Sequence, residues 1–160
     1  MFNNKYGDEG LTKLFNIEIA KASLEADFLS SLKEYKAYIK VLINFINPFT
    51  YYYINDVLTS IINTLNDIEV DYVNDTNNYK VNSVSLLEKE IDLIKEKVKD
   101  YKPKDNINNK VSSLCELIYA KGLRLEGLYF KLNKEYRFQS YLNRVNDYFY
   151  VLIDLVNKEM

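Results

Sequence analysis

Three side chains near the end of the chain are placed to act together. Asn143 and Asp147 stand one helical turn apart, and Arg144 is spaced to reach Asp147. They offer an amide, a guanidinium and a carboxylate, a set able to hold and orient a charged ligand. The plainer reading of the same residues is the solvated flank of a bundle helix. A second set lies at the start, in Asn4-Lys-Tyr-Gly-Asp-Glu-Gly-Leu-Thr-Lys-Leu14. Gly7 and Gly10 bracket Asp8 and Glu9, and two glycines this close permit a turn whose backbone N–H groups converge on a phosphate. Lys5, Thr12 and Lys13 add charge and a hydroxyl. A frayed terminal tail is the alternative reading there.

The residues that are missing narrow the chemistry. The chain has no His, which removes the usual general base, the Ser-His and Cys-His nucleophile pairs and histidine metal sites. A single Cys allows neither an internal disulfide nor a cysteine zinc cluster. Net charge is −2 with the signs interspersed, so there is no basic block to grip nucleic acid phosphates. No apolar run approaches a membrane span, and the first residues lack the apolar stretch of a signal peptide. The expectation is a cytoplasmic protein with no nucleic-acid or membrane partner.

The elements that must position these sets are helical. With 160 residues, 4 Gly and 2 Pro, one all-α domain over 1–160 is expected rather than a sandwich or barrel. Within it, residues 1–17 read as a loop and 18–160 as a five-helix bundle. A first helix is expected from Ile17 to Ile46, with Leu24, Phe28, Leu32, Tyr35, Ile39 and Leu42 on one face, ended by Asn47-Pro48. A second runs from Tyr51 to Ile68. A third, Val84 to Lys99, opens on a Ser85/Glu88 capping box. A fourth, Val111 to Leu132, buries Cys115 as a small core residue. It also contains Gly122 and Gly127, which either let a neighbouring helix come close or mark lost side chains. The last helix buries Leu142, Val145, Phe149, Leu152 and Val156.

In sequence order, these segments resemble the ATP:cob(I)alamin adenosyltransferases of the propanediol-utilisation type. That family opens with Thr-Lys-Thr-Gly-Asp-x-Gly-x-Thr-x-Leu, which Lys5, Gly7, Asp8, Gly10, Thr12 and Leu14 match in register. Near its end it has Leu-Asn-Arg-Leu-Ser-Asp, matched closely by Leu142-Asn-Arg-Val-Asn-Asp147. Tyr53-Ile-Asn-Asp-Val-Leu58 and Leu87-Glu-Lys-Glu-Ile-Asp92 are similar to two further family segments between these ends. The resemblance implies a five-helix bundle that assembles as a homotrimer and binds ATP and cobalamin between subunits, with Mg2+ a possible further cofactor. It also implies transfer of the 5′-deoxyadenosyl group to Co(I), with triphosphate leaving. Carried over residue by residue, Lys5, Gly7, Asp8, Gly10 and Thr12 form the phosphate loop, and Lys21 stands near a phosphate-contacting lysine. Asn143 holds the nucleotide, and Asp147, an orienting carboxylate, and Arg124 are the catalytic residues that the resemblance implies. The N-terminal arm is then expected to fold over the flank of the last helix.

The fourth helix departs from the family. Setting Arg124 and Glu126 on its Arg-x-x-Cys-Arg-Arg-Ala-Glu-Arg puts Tyr119, Leu123 and Gly127 where arginines stand. Lys33 replaces an acidic residue of the first helix that pairs across the family's subunit interface. Only Arg124, Arg137 and Arg144 are present in the whole chain, with Lys13, Lys33, Lys36 and Lys121 as replacement cations. Lys lacks the bidentate fork of Arg. Two functions therefore stand open: an adenosyltransferase, or a catalytically impaired relative that binds nucleotide or corrinoid or acts as a structural partner.

Overall fold

The structure, a computed structural model, describes residues 11–14 and 17–20 as backbone, and residues 23–104, 109–132 and 136–160 in full. Five helices dominate the described residues: α1 Leu24–Phe45, α2 Tyr52–Asn74, α3 Asn82–Val98, α4 Lys110–Lys131 and α5 Gln139–Glu159. A short antiparallel hairpin precedes them, β1 Leu11–Leu14 against β2 Ile17–Ala20, with Leu14 opposite Ile17.

The hairpin corrects the expected start of the first helix. Ile17-Glu-Ile-Ala20 alternates apolar and polar residues, the period of a strand. The helix begins only after Ser23, whose hydroxyl accepts from the Ala26 N–H at 3.1 Å. Glu25 and Asp27 then sit in the first turn, where the helix dipole favours negative charge. The Ser85/Glu88 capping box is also corrected. α3 starts at Asn82, three residues before Ser85, and the Ser85 hydroxyl donates to the Asn82 carbonyl at 2.9 Å inside the first turn.

α2 runs past the expected Ile68 to Asn74 because two buried carboxylates continue its inner face. Glu69 meets Lys33 at 2.9 Å and also pairs with Lys36, both on α1. Asp71 collects the loop that follows. Asp75, at φ 54°, closes the helix in the left-handed conformation.

Contacts at the helix ends fix the directions. The Tyr53 hydroxyl at the start of α2 donates to the Glu159 carboxylate at 2.9 Å, whereas Arg137 just before α5 donates to the Thr76 carbonyl at 2.8 Å just after α2. These two helices are therefore antiparallel. Lys158 donates to the Lys97 carbonyl, so α3 runs alongside α5. Phe28 near the start of α1 packs on Tyr72 and Tyr129, near the ends of α2 and α4, with centroids 4.9 and 5.5 Å apart. The result is an up-and-down bundle in which α4 packs between α1 and α5.

The anticipated faces form the core. Leu142, Val145, Phe149, Leu152 and Val156 are buried, as are Phe28, Leu32, Tyr35, Ile39 and Leu42; Leu24 is exposed. Cys115 is fully enclosed, and burial, with Glu116 nearby, pushes its thiol up to about 12. It is a small core residue and not a nucleophile.

Candidate functional site

α5 presents its polar residues along the seam with α4. Gln139 and Asn146 both donate to the Glu126 carboxylate on α4, at 2.9 and 2.8 Å, one to each oxygen. One turn further on, Tyr150 packs on Tyr119 of α4, with ring centroids 5.6 Å apart. Asn143 lies one turn after Gln139 and one turn before Asn146, so it sits at the same seam, half-buried. Arg144 donates from Nη1 to Asp147 Oδ2 at 2.6 Å, as the spacing requires. Their side chains are 33% and 46% exposed, which leaves the remaining guanidinium donors and a carboxylate oxygen facing outward. This flank can bind and orient a polar or anionic ligand.

Arg124 lies exposed on the outer side of α4 and makes no hydrogen bond or ion pair among the described residues. Leu117, Leu123 and Phe130 of the same helix are also exposed, and all three are large and apolar. A Cβ at Gly127 would meet nothing within 4 Å, so this glycine opens the outer face and serves no close approach inside the bundle. Gly122 is the glycine that does.

Three of the replacement cations are engaged within the chain. Lys33 and Lys36 converge on buried Glu69, and Lys121 pairs with Glu34 at 2.6 Å. Each of these links α1 to a neighbouring helix. The structure thus pairs Arg144 with Asp147, sets Asn143 on the same helix within one turn of them, and places Arg124 on the exposed side of α4. Thr12 falls in β1, where the backbone alone is described. Lys5, Gly7, Asp8, Gly10 and Lys21 lie outside the described residues, and with them the expected packing of the arm on α5.

Sequence reasoning missed the Glu126–Asn146 link and the site around Asp71. Asp71 Oδ1 accepts from the Thr76 hydroxyl, the Asn78 N–H and the Asn78 amide, and Oδ2 from the Tyr79 N–H. Arg137 adds a contact at 3.2 Å. Burial pushes the Asp71 carboxyl up, but the hydrogen bonds from Asn78, Thr76 and Tyr79 outweigh it and bring it down to about 2. The run Asn74-Asp-Thr-Asn-Asn78 shows these donors in the sequence, though not their common acceptor.

Two clefts lie away from the α5 flank. One of about 510 Å3 is lined by Asp71, Tyr72, Tyr129, Arg137 and Phe138. Another of about 290 Å3 lies among α2, α3 and α5, beside Asp56, Ser60, Thr64, Glu90 and Tyr141. Among the described residues no group of three His, Cys, Asp or Glu could hold a metal ion, and no helix is long and apolar enough to cross a membrane.

Residues 2–156 match the family model described as cobalamin adenosyltransferase. No curated protein matches. Among solved structures, the chain is similar to an arginine-to-lysine variant of the PduO-type ATP:co(I)rrinoid adenosyltransferase from Lactobacillus reuteri complexed with ATP. The TM-score is 0.81 at 20% identity, over 99% of this chain and 94% of that one. It is also similar to a phenylalanine-to-alanine variant of the Lactobacillus reuteri enzyme complexed with cobalamin and ATP. There the TM-score is 0.78 at 18% identity, over 96% of this chain and 92% of that one. At these identities the structural likeness establishes the fold.

Proposed function

The chain belongs to the cobalamin adenosyltransferase family, and on that premise we propose that it transfers the 5′-deoxyadenosyl group of ATP to cob(I)alamin with release of triphosphate. The cobalt of the reduced corrinoid is the nucleophile, so the protein needs no His or Cys base. Its work is positioning and charge stabilisation. The observation that carries this reading is the α5 flank, where Asn143 stands at the α4 seam beside an outward-facing Arg144–Asp147 pair. Asn143 holds the nucleotide and Asp147 orients it. The glycine-bracketed arm, with Lys5, Gly7, Asp8, Gly10, Thr12 and Lys21, encloses the phosphates, and Arg124 meets their charge.

Arg124 and Asn143 face different surfaces of one protomer, so the reading requires a second copy to complete the site. The apolar outer face of α4, with Leu117, Leu123 and Phe130 exposed around open Gly127, supports a contact between copies in a homotrimer. A cytoplasmic location fits this chemistry.

One observation favours the second reading, a relative impaired in catalysis. Lys33, Lys36 and Lys121 each pair with a carboxylate of their own chain, which supports reading them as structural cations rather than as substitutes for the missing arginines. Each transition-state donor lost from a dry site costs about 3–4 kcal/mol. Two assays separate the readings. Cob(I)alamin with ATP, followed by absorbance under reducing conditions, reports product. Thermal melting with ATP reports binding, since a ligand at a hundred times its dissociation constant adds about 2.7 kcal/mol. Product supports the enzyme; a shift without product supports an impaired relative that binds nucleotide; neither signal sinks the enzyme and leaves the structural partner.

A further inference from the structure

Gly122 of α4 lies inside the bundle. A methyl added there would overlap the Asn146 side-chain oxygen and come within 2.8 Å of the Tyr35 hydroxyl. Asn146 cannot simply swing aside, because it is buried and its amide nitrogen is committed to Glu126, one turn along α4. Neither the Asn146 oxygen nor the Tyr35 hydroxyl has a hydrogen-bond partner among the described residues, a cost that apolar packing would avoid. The notch is therefore filled by an amide at a penalty.

What that amide does is visible along α5. Gln139 and Asn146 bring their amides to the two oxygens of the same carboxylate, and Asn143 lies between them. A carboxylate held from both sides of Asn143 sets how far α5 is rotated and slid against α4. We propose that Asn146, seated in the notch that Gly122 leaves and tied to Glu126, is a positioning residue that presents Asn143 to the nucleotide. The inference rests on the reading that Asn143 holds ATP.

Five proteins test it: wild type, Gly122→Ala, Asn146→Ala, the double variant, and Ile62→Val on α2 as a control that loses core packing away from the seam. ATP dissociation constants are measured by calorimetry at a temperature where circular dichroism shows all five folded, with melting temperatures alongside. Gly122→Ala and Asn146→Ala are each expected to weaken ATP by up to about fivefold, the loss expected when Asn143 itself is removed. The double variant should bind no worse than Gly122→Ala, because the amide that the new methyl displaces is already gone. The control should keep wild-type affinity despite a lower melting temperature. Wild-type affinity in Asn146→Ala, multiplying losses in the double variant, or an affinity loss in the control that tracks melting would each overturn the inference. If Gly122→Ala does not fold, Asn146→Ala and Asn146→Ser against the control decide. Wild type that binds ATP with no effect at Asn146 sinks this inference alone; wild type that binds no ATP sinks the Asn143 reading with it.

Discussion

The bundle carries the same three kinds of side chain in two places and spends them differently. Around Asp71, a carboxylate, Arg137 and the amides of Asn77 and Asn78 close on one another, and the Asp71 side chain is fully buried. Along α5, a carboxylate and Arg144 form a single internal bond with the amide of Asn143 outside it, and both charged groups stay a third to a half exposed. The first arrangement uses its hydrogen-bonding capacity to tie the α2–α3 loop to the start of α5. The second keeps capacity in reserve. Residue type alone does not separate a structural polar cluster from a binding one; the fraction of donors and acceptors already satisfied does.

The largest expected effect breaks the closed cluster. Asp71→Ala removes the acceptor of five hydrogen bonds, one of them from Arg137, which loses its carboxylate. A loss of about 3–5 kcal/mol is expected in urea melts, the cost of breaking a buried pair from one side. A loss no larger than that of an exposed substitution would show that the loop is held by something else.

Asp71→Asn sharpens the same point through pH. The folded carboxyl titrates at about 2, against its ordinary 3.8. A depressed folded value means the unfolded chain binds the proton first as pH falls. The stabilisation is therefore complete above about pH 5 and is lost as pH drops through 3.8 towards 2, and amounts to roughly 2 kcal/mol. The stability gap between wild type and Asp71→Asn should be widest at neutral pH and shrink across that window. A gap that stays constant with pH would mean that the charge is not what holds the loop.

How far each region is legible in the sequence follows from the same contrast. The helices are legible because apolar spacing along one segment is a local property, and the α5 stripe buries as its periodicity requires. Glu69 and Asp71 hide the end of α2, since polar residues on an inner face look like the end of a stripe until Lys33, Lys36 and Arg137 arrive from elsewhere in the chain. Asn143, Arg144 and Asp147 are legible because their relation spans one turn. The seat of Asn146 against Gly122 is not, because it depends on two helices meeting and on a side chain that is absent. The hairpin is missed because four alternating residues at β2 also fit the first turn of a helix.

A smaller effect is expected at the open cluster. Asn143→Ala should change folding stability by no more than about 0.5 kcal/mol, since the residue is half-buried and holds no loop. It should weaken ATP binding by about 1 kcal/mol, the worth of one net hydrogen bond. Calorimetric titration alongside melts separates the two quantities. Equal losses in both would place Asn143 with the structural residues and erase the distinction between the two clusters.

The smallest effect concerns the Arg144–Asp147 pair itself. An exposed pair of this spacing contributes about 0.3–0.5 kcal/mol to a helix and is screened by salt. A double-mutant cycle with Arg144→Ala and Asp147→Ala should return a coupling of that size in the absence of nucleotide, fading at high ionic strength. With ATP present the coupling is expected to change, because ligand atoms compete for the donors and acceptors that face outward. A coupling well above 1 kcal/mol without ligand, indifferent to salt, would mean that this flank is closed on itself in the way Asp71 is. It would then have nothing in reserve for a substrate.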